Sequence, residues 1–519
     1  MQGSIAPKFS IITPVYNPPL HALEKCVESV QNQTFDNWEW CITDDKSTDP
    51  RITKYLQRLV KQDQRIRIIF RSENGGIVKA SNDSLEIAQG QFVALLDHDD
   101  ELSRDALSVV NDYIQKNDEV DYLYSDEDKI DANGHHFDRF SKPIFCPERL
   151  RGQNYCSHLS VIRRSLMEEV GHFREGFEGA QDHDLVLRVS ERARGIVHIP
   201  KVLYHWRVVE GSTAGTDDAK PYAFLSAQKA VSEHCQRIGL DASVEVDEIG
   251  CVTVKRNLQS FPLVSIIIPT AGQRKMVWGQ QHCLAALSVQ SILEKSSYPN
   301  YEIVLVHDNV EQLDPELKKL VSNTKVKLVW YAKPFDFSDK CNTGVLSSEG
   351  DIVILLNDDT FVISPDWIET LIGYFQDPDV GMTGPMLLLE DGRIQSAGHG
   401  NNPAPHNIGA GDLVDSFGPF RSYRIAREVS GITGACAAIP RDLYLSLGGM
   451  SLAFPHSFND VDFAFKVLDA GKRIIWTPNA QLFHFESLSR DPTVAPSEIR
   501  LLRDRWGRYF GNDKYTIHK

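Results

Sequence analysis

Short apolar runs alternate with helix-like patterns over the first hundred residues of the chain. The runs typical of buried strands cover residues 9–13, 38–43, 66–70 and 92–96. The stretches with the three- and four-residue apolar spacing of amphipathic helices cover residues 20–33, 51–61 and 78–88. Strands that alternate with helices in this way predict a parallel, doubly wound sheet, and the expected fold class is α/β.

The same order of apolar runs restarts in the second half of the chain. The matching runs cover residues 264–268, 302–306, 326–330 and 351–356. A repeat of this length indicates a duplicated domain, because solenoid repeats are far shorter. The predicted organisation is an N-terminal domain over 1–215, a helical connector over 216–258 and a C-terminal domain over 259–519.

Composition narrows the class of protein. The 519 residues are 42% hydrophobic and 24% charged, as in soluble globular domains. A formal net charge of −16, with no long basic stripe, argues against a nucleic-acid partner. Nine scattered cysteines without paired ligand spacing predict reduced, buried thiols in a cytoplasmic protein. The chain shows no signal peptide and no apolar run of transmembrane length, so we expect at most peripheral membrane contact.

Acidic residues follow the fourth predicted strand of each half. The first set is Asp97, His98 and Asp99, and the second is Asn357, Asp358 and Asp359. Ligands of open α/β sheets bind at the carboxyl ends of the strands, where these side chains would lie. Carboxylates one residue apart can share a divalent cation, and oxygen ligands suit Mg²⁺ or Mn²⁺. The alternative is a polar loop of solvated acids, and the recurrence in both halves favours a site.

An acidic residue begins a predicted helix in each half, Asp182 in the first and Asp460 in the second. Helix capping is the alternative to a role as general base, since the helix dipole favours a carboxylate there. His205 follows Asp182 by 23 residues and His484 follows Asp460 by 24. This recurrence favours a metal or phosphate role over two core histidines. Arg207 could meet a diphosphate or be a surface cation.

Glycine-rich phosphate loops are absent from the sequence. No Gly-x-Gly-x-x-Gly motif follows the first strand, and no Gly-Lys-Ser/Thr motif occurs. This argues against dehydrogenases, kinases and ATPases. A nucleotidyltransferase would also need a glycine-rich turn, where this chain has Pro14-Val15-Tyr16-Asn17.

Taken in order, and twice, these motifs resemble the inverting glycosyltransferases of family 2, which have the GT-A fold. The motifs of the first copy are Thr13-Pro14-Val15-Tyr16-Asn17, Asp44-Asp45, Asn74-Gly75-Gly76, Asp97-His98-Asp99, Asp182 and Tyr204-His205-Trp206-Arg207. Those of the second are Ile268-Pro269-Thr270, Asp308, Asn357-Asp358-Asp359-Thr360, Asn459-Asp460 and His484. The whole resembles bacterial tandem enzymes that build O-antigen, capsule or related surface polysaccharides.

The resemblance implies two tandem GT-A domains with Rossmann-like, mostly parallel sheets, and it assigns roles to individual residues. The implied nucleotide-sugar ligands are Pro14, Tyr16, Asp44, Asp45, Asn74, Asp97, Asp99 and Arg207, with Pro269, Asp308, Asn357 and Asp358 in the second copy. The implied ligands of a divalent metal (Mn²⁺ or Mg²⁺) are Asp99, His205, Asp359 and His484. The implied bases, which deprotonate the acceptor hydroxyl, are Asp182 and Asp460.

The function implied is a bifunctional, metal-dependent transfer of sugars with inversion. The donors would be UDP-, dTDP- or GDP-sugars, and the acceptor an oligosaccharide or lipid-linked glycan. Asn357 departs from the family pattern, because an amide replaces the first acid of the triplet. Two alternatives stay open: one catalytic domain with a degenerate acceptor-binding copy, or a glycan-binding scaffold without activity. The expected location is the cytoplasm, with possible contact at the inner face of the membrane.

Overall fold

The computed structural model describes residues 6–208, 221–308, 313–485 and 494–515. The described residues up to Val254 form one compact unit, and those from Lys255 onward form a second. Each unit contains one large mixed sheet flanked by helices. The expected α/β class, with tandem domains of mostly parallel sheet as in the GT-A fold, is confirmed.

The first unit contains eight helices and eleven strands among its described residues, the last strand running just past Val254. The helices are α1 Leu20–Gln31, α2 Pro50–Gln62, α3 Ile77–Glu86, α4 Ala106–Lys116, α5 Pro147–Gly152, α6 Arg164–Val170, α7 Gln181–Ser190 and α8 Pro221–Arg237. The strands are β1 Phe9–Val15, β2 Trp38–Asp44, β3 Ile66–Phe70, β4 Phe92–Leu95, β5 Glu101–Leu102, β6 Val120–Ile130, β7 His136–Phe140, β8 Ser160–Arg163, β9 Gly195–Arg207, β10 Ala242–Val246 and β11 Val252–Arg256.

The sheet of the first unit has the order β3-β2-β1-β4-β8-β6-β9-β5, with β7 paired to β6. Strands β1 to β4 pair in parallel, so the residues that follow β1, β2 and β4 meet at one edge of the sheet. Every residue of β2 is buried, as expected of a strand covered by helices on both faces. This arrangement brings the ends of the predicted strands together.

The second unit repeats this plan among its described residues. Its helices are α9 Leu284–Lys295, α10 Pro315–Leu320, α11 Phe337–Leu346, α12 Trp367–Gly373, α13 Arg441–Ser446, α14 Asn459–Asp469 and α15 Pro496–Trp506. Its strands are β12 Val264–Thr270, β13 Arg274–Val277, β14 Gln280–Cys283, β15 Tyr301–His307, β16 Val326–Trp330, β17 Ile352–Leu356, β18 Thr360–Val362, β19 Val380–Leu388, β20 Ile394–Ser396, β21 His399–Gly400, β22 His406–Asn407, β23 Arg427–Glu428, β24 Cys436–Pro440 and β25 Arg473–His484.

The sheet of the second unit has the order β16-β15-β12-β17-β24-β19-β25-β18. This order matches that of the first sheet strand for strand, so the duplication inferred from the apolar pattern extends to the topology. The second unit adds the β13–β14 hairpin between its first strand and first helix, where the first unit has a short loop.

The region from 104 to 207 is more regular than its sequence pattern indicates. Strand β6 runs through Asp121 and Asp126, whose carboxylates are buried and would not be expected inside a sheet. Asp121 pairs with Arg163 and Arg194, so its charge is compensated in place. These strands contain charged residues that find their partners only in the folded chain. The pattern of apolar runs therefore does not reveal them as strands.

The proposed connector is represented by α8 and the β10–β11 hairpin, and residues 216–220 lie outside the described residues. Helix α8 packs on α7, with His234 Nδ1 2.6 Å from Glu191 Oε1. The boundaries predicted for the two domains and the connector, at residues 215 and 258, stay a prediction. All nine cysteines are buried and none forms a disulfide. Among the described helices, none has both the length and the apolar character needed to cross a bilayer.

Candidate functional site

The acidic segment of the first unit follows β4 at the carboxyl edge of the sheet. Asp100 is buried and accepts hydrogen bonds from the Tyr204 hydroxyl at 2.5 Å and from the Arg207 backbone N–H at 2.7 Å. Burial, and then the negative charge of Asp97, raise the pKa of Asp100 well above its usual range. Burial also raises the pKa of Asp99. These crowded carboxyl groups favour a bound cation, which would relieve their mutual repulsion.

Arg207 and His205 both lie on β9, beside this segment. Arg207 Nε donates to the Asp99 carbonyl at 2.9 Å, and its guanidinium forms an ion pair with Glu101. His205 Nδ1 lies 2.6 Å from Asp128 Oδ1. Arg207 therefore braces the backbone of the acidic segment, and His205 contacts a different carboxylate. Their roles toward a diphosphate and toward the metal beside Asp99 stay predictions.

The Asn74-Gly75-Gly76 loop is held by the residue that follows β2. The carboxylate of Asp45 accepts hydrogen bonds from the N–H groups of Gly75 at 2.8 Å and Gly76 at 2.7 Å. Arg71 Nε lies 2.9 Å from the same carboxylate, and Asn74 Nδ2 donates to the Asp45 carbonyl at 3.0 Å. Gly76 has φ of +84°, a conformation that favours glycine. Asp45 and Asn74 are thus brought together, as the sequence predicts.

The remaining nucleotide-binding candidates of the first unit lie around the same edge. Asp44 is buried and accepts a hydrogen bond from the Ser47 N–H at 3.1 Å, which stabilises the turn after β2. The Pro14 carbonyl lies 3.0 Å from His98 Nδ1, so the ends of β1 and β4 are in contact. Tyr16 is 47% exposed and leaves an aromatic face open to a ligand.

Asp182 lies in the first turn of α7, and its pKa responds to the charge of Asp97 in the acidic segment. Burial, and then the negative charge of Asp97, raise its pKa to about 7. Gln181 Nε2 donates to Asp182 Oδ2 at 3.1 Å and partly offsets this rise. A carboxyl group that titrates near neutral pH is suited to proton transfer. Asp182 therefore lies close enough to Asp97 for the charge of one carboxyl group to affect the other.

The acid two residues further along each helix has a different environment. Asp184 is fully buried and forms an ion pair with Arg188 at 2.7 Å. Asp462, at the matching place in α14, accepts a hydrogen bond from Trp506 Nε1 at 2.7 Å and lies 3.0 Å from Arg505 Nη1. These second acids hold helices in place, which leaves Asp182 and Asp460 as the acids that can act on a ligand.

In the second unit the acidic segment meets a histidine directly. His484 Nε2 lies 3.1 Å from Asp359 Oδ1 and 3.2 Å from Asn357 Nδ2. Asp358 Oδ2 accepts a hydrogen bond from Thr270 Oγ1 at 2.6 Å. Burial, and then the charge of Asp359, raise the pKa of Asp358 to about 7. The structure thus brings together the predicted residues Asn357, Asp359 and His484.

A buried lysine that sequence analysis missed joins the nucleotide-binding candidates of the second unit. Lys340 is 1% exposed, and its Nζ lies 2.5 Å from Asp308 Oδ1. It also donates to the Thr270 carbonyl at 2.9 Å. Pro269 is buried in β12 and pairs with Val306. The sequence did contain a clue to Lys340, because it falls on the apolar side of α11. A lysine that is buried there needs an acidic partner.

Asp460 is connected to the same segment through the two residues that precede β24, the strand next to β17. Its Oδ2 accepts a hydrogen bond from the Gly434 N–H at 2.9 Å. The carbonyl of the next residue, Ala435, accepts a hydrogen bond from the Asn357 N–H at 3.0 Å. The helix-leading acid and the strand-end residues of the second unit therefore lie at one site, as in the first.

The sheet register shows that His205 and His484 do not occupy matching positions. Glu101, two residues after Asp99, pairs with His205. Phe361, two residues after Asp359, pairs with Phe483. His484 therefore matches the residue that follows His205. Successive side chains of a strand point to opposite faces, so this one-residue shift places the two imidazoles on opposite faces. The equivalence expected from spacings of 23 and 24 residues is wrong.

The histidine beside the first acidic segment is His158, which sequence analysis missed. One side-chain nitrogen or oxygen atom from each of His158, Asp97 and Asp100 lies within 4.8 Å of the other two. The His158 ring stacks on Tyr204, with centroids 4.4 Å apart and planes 10° apart. His158 lies in a loop that precedes β8, and no periodic pattern there points to it.

The donor sets fit a divalent cation in both units. The first unit offers the clustered carboxyl groups of Asp97, Asp99 and Asp100, which are hard oxygen ligands. In the second, Asn357 Oδ1 is buried without a hydrogen-bond partner among the described residues, beside Asp359 and His484. A buried acceptor of this kind suits a cation or a ligand donor.

The chain matches one protein family and several curated relatives. The model of a protein family described as Glycosyl transferase family 2 matches residues 10–171 and 265–448. The chain is 38% identical over 526 residues to the uncharacterized protein y4gI of Sinorhizobium fredii (strain NBRC 101917 / NGR234), a match that covers 96% of this chain and 56% of that one. It is 33% identical over 497 residues to the O-antigen biosynthesis protein RfbC of Myxococcus xanthus, covering 94% of this chain and 38% of that one.

The chain spans little more than half of the first relative and less of the second. Among solved structures, S. aureus TarS 1-349 in complex with UDP-GlcNAc superimposes with a TM-score of 0.37 at 20% identity. That match covers 44% of this chain and 72% of that one. A likeness at this level supports no argument about substrates.

Proposed function

Because the chain belongs to glycosyl transferase family 2, we propose that each unit transfers a sugar from a nucleotide-sugar donor to a growing polysaccharide. The observation that carries this proposal is the meeting, in each unit, of a helix-leading acid with the acidic segment at the strand ends. In the first unit the charge of Asp97 acts on Asp182. In the second, Asp460 connects through Gly434 and Ala435 to Asn357.

The acidic segments would bind the diphosphate end of the donor through a divalent cation. Asp97 and Asp99 are the proposed ligands in the first unit, and Asp359 with His484 in the second. A bound Mn²⁺ or Mg²⁺ would stabilise the negative charge that develops on the departing nucleoside diphosphate. Arg207 holds the Asp99 backbone and so fixes the position of these carboxylates.

The nucleoside would bind along the edge formed by β1 and β2 in the first unit and by β12 and β15 in the second. Asp45 and Asn74 order the loop beside the first nucleobase site, where exposed Tyr16 offers a stacking face. In the second unit Asp308 follows β15 as Asp45 follows β2, and it pairs with the buried Lys340. UDP-, dTDP- and GDP-sugars are the proposed donors.

Asp182 and Asp460 would remove the proton from the acceptor hydroxyl as it attacks the anomeric carbon. A positioned base contributes typically about 10²–10⁴-fold to such a step. A single displacement needs one base and inverts the anomeric carbon, unlike retention through a covalent intermediate with two close carboxylates. One strong base candidate in each unit therefore supports inversion.

The acceptor is proposed from the names of relatives. The relative of Myxococcus xanthus is named for O-antigen biosynthesis, and a further match, 32% identical over 45% of the chain, is a chondroitin synthase of Escherichia coli. Both names refer to polysaccharide assembly. An oligosaccharide or lipid-linked glycan of that kind is the proposed acceptor, with two sugars added in turn by the two units.

The test is donor turnover by single-site variants. Asp182→Asn and Asp460→Asn would each be assayed for release of nucleoside diphosphate from a panel of UDP-, dTDP- and GDP-sugars with Mn²⁺. Asp442→Asn, an exposed acid in the first turn of α13, is the matched control. Each site variant should lose turnover of one donor by about 100-fold or more. Full turnover of every donor in either variant would remove that unit from the proposal and leave one catalytic unit.

A further inference from the structure

Three side chains of the first unit converge outside the proposed transfer site. His205 Nδ1 lies 2.6 Å from Asp128 Oδ1, and His136 Nδ1 lies 3.0 Å from Asp128 Oδ2. The two imidazole rings meet edge to face with centroids 4.5 Å apart. One nitrogen or oxygen atom from each of the three residues lies within 4.8 Å of the others. We propose that this cluster binds a first-row transition-metal ion of the Zn²⁺ type.

The convergence follows from the position of β6 between two neighbours. Asp128 pairs with His205 of β9 on one side, and His136 begins β7 on the other. The pairing of β6 with β7 shifts register between Glu127 and Lys129, so Asp128 sits in a β-bulge. Bulges re-aim a side chain and recur at functional sites. Backbone geometry therefore holds the carboxylate between the two imidazoles.

The ligand set differs from that proposed for the donor cation. Two imidazole nitrogens and one carboxylate suit Zn²⁺ and similar ions, whereas Mg²⁺ and Mn²⁺ prefer oxygen ligands. Ligand atoms about 2.0 Å from a tetrahedral ion lie roughly 3.3 Å apart. The present separations of 2.6 and 3.0 Å would need to open by about 0.7 and 0.3 Å to reach that value. The His136 side chain is 54% exposed, so an ion and a fourth ligand from solvent can enter.

This cluster lies on the face of β9 opposite Tyr204, and the matching strand positions of the second unit do not repeat it. His205 faces away from its neighbour Tyr204, whose hydroxyl binds Asp100. In the second unit Leu388 pairs with Phe483 at the position where Asp128 pairs with His205. Those two residues cannot bind a metal. The proposal therefore assigns His205 to a cation other than the one implied beside Asp99.

A bound ion would cross-link β7 to β9 through β6. Strand β9 carries Tyr204 and Arg207, which hold the acidic segment from behind. Binding to the folded chain alone would raise its thermal unfolding temperature. The cluster would then support the transfer site mechanically while taking no part in the transfer.

The test uses Co²⁺ as a spectroscopic substitute for Zn²⁺ on the full, metal-stripped chain. Bound equivalents are counted by equilibrium dialysis, and visible absorption reports nitrogen coordination. His136→Gln removes one ligand from a largely exposed position. His135→Gln is the matched control, because His135 lies next to it, is 79% exposed and pairs with Asp131 at 3.2 Å. Asp99→Asn separates this site from the donor cation.

We expect the His136→Gln and Asp128→Asn variants to bind one equivalent of Co²⁺ less than the wild-type chain and to lose the Co²⁺ absorption. The His135→Gln variant should keep both signals, and Asp99→Asn should keep the Co²⁺ absorption that reports nitrogen coordination. Zn²⁺ should raise the unfolding temperature of the wild-type chain and of His135→Gln, and should not raise that of His136→Gln. Unchanged Co²⁺ stoichiometry in a folded His136→Gln variant would overturn the proposal and leave the cluster as a hydrogen-bonded network.

Discussion

His484 Nε2 lies 3.1 Å from Asp359 Oδ1 in the second unit, while the position that matches His484 in the first unit is held by Trp206. The two units therefore offer a cation different ligands. The first presents clustered carboxyl groups beside the imidazole of His158, and the second replaces one of the carboxyl groups with Asn357 and presents the imidazole of His484 from β25. This difference predicts that the two proposed transfer reactions respond differently to metal identity and to mutation.

Replacing His484 should weaken the metal dependence of the second unit alone. His484→Gln removes a nitrogen that contacts Asp359, so the Mn²⁺ concentration for half-maximal activity should rise about 10-fold or more. The measurement is Mn²⁺ titration of the donor turnover that Asp460→Asn abolishes. His406→Gln, an exposed histidine of the same unit, is the control. An unchanged Mn²⁺ response in His484→Gln would rule out ligation by this imidazole.

The activity of the first unit should depend on pH through Asp182. Its pKa of about 7 means that the basic carboxylate form is gained as pH rises through neutrality. In an Asp460→Asn background, kcat/KM should therefore increase between about pH 6 and pH 8. Saturating Mn²⁺ should move this limb to lower pH, since a nearby cation favours the carboxylate. A flat profile over this range would argue against Asp182 as the base.

The same raised pKa predicts a change in stability. Between the pKa of an unfolded aspartate, about 3.9, and about 7, the folded chain holds a proton at Asp182 that the unfolded chain has lost. Stability should therefore fall as pH rises through this window, by at most about 4 kcal/mol. Asp182→Asn should remove this fall, and metal-free urea unfolding at pH 5 and pH 8 measures it. Equal slopes for variant and wild type would contradict the assignment.

Removing Lys340 should destabilise the second unit. Lys340 is 1% exposed and its partner Asp308 is 30% exposed. Lys340→Ala therefore removes an ion pair whose cation is buried, and it also removes the packing around the lysine side chain. We expect a loss of about 1–3 kcal/mol in the free energy of unfolding, less than for a fully buried pair. Lys333→Ala is the control, because Lys333 is 63% exposed in its pair with Asp339 and should cost about 0–1 kcal/mol. Urea denaturation checks both, and equal losses would contradict the argument.

The sequence determined the alternation of elements, the duplication and the candidate acids. Apolar runs mark β1, β4, β12 and β17 because strands covered on both faces need continuous hydrophobic residues. Asp99 and Asp359 follow such runs directly, and the residues after parallel strands must meet at one edge. Asp182 and Asp460 begin amphipathic helices. These features depend on neighbours in sequence, so a linear reading finds them.

Tertiary structure decided which side chains meet. The register of a strand depends on partners far along the chain, and a shift of one residue moves a side chain to the other face of the sheet. For this reason His205 contacts Asp128, whereas His484 contacts Asp359. His158 joins the first site from a loop whose local pattern does not indicate the contact, and Lys340 joins the second from a helix whose pattern indicates burial and leaves its partner unnamed. Periodicity reports the neighbourhood of a residue along the chain, whereas a site is built from residues that only folding brings together.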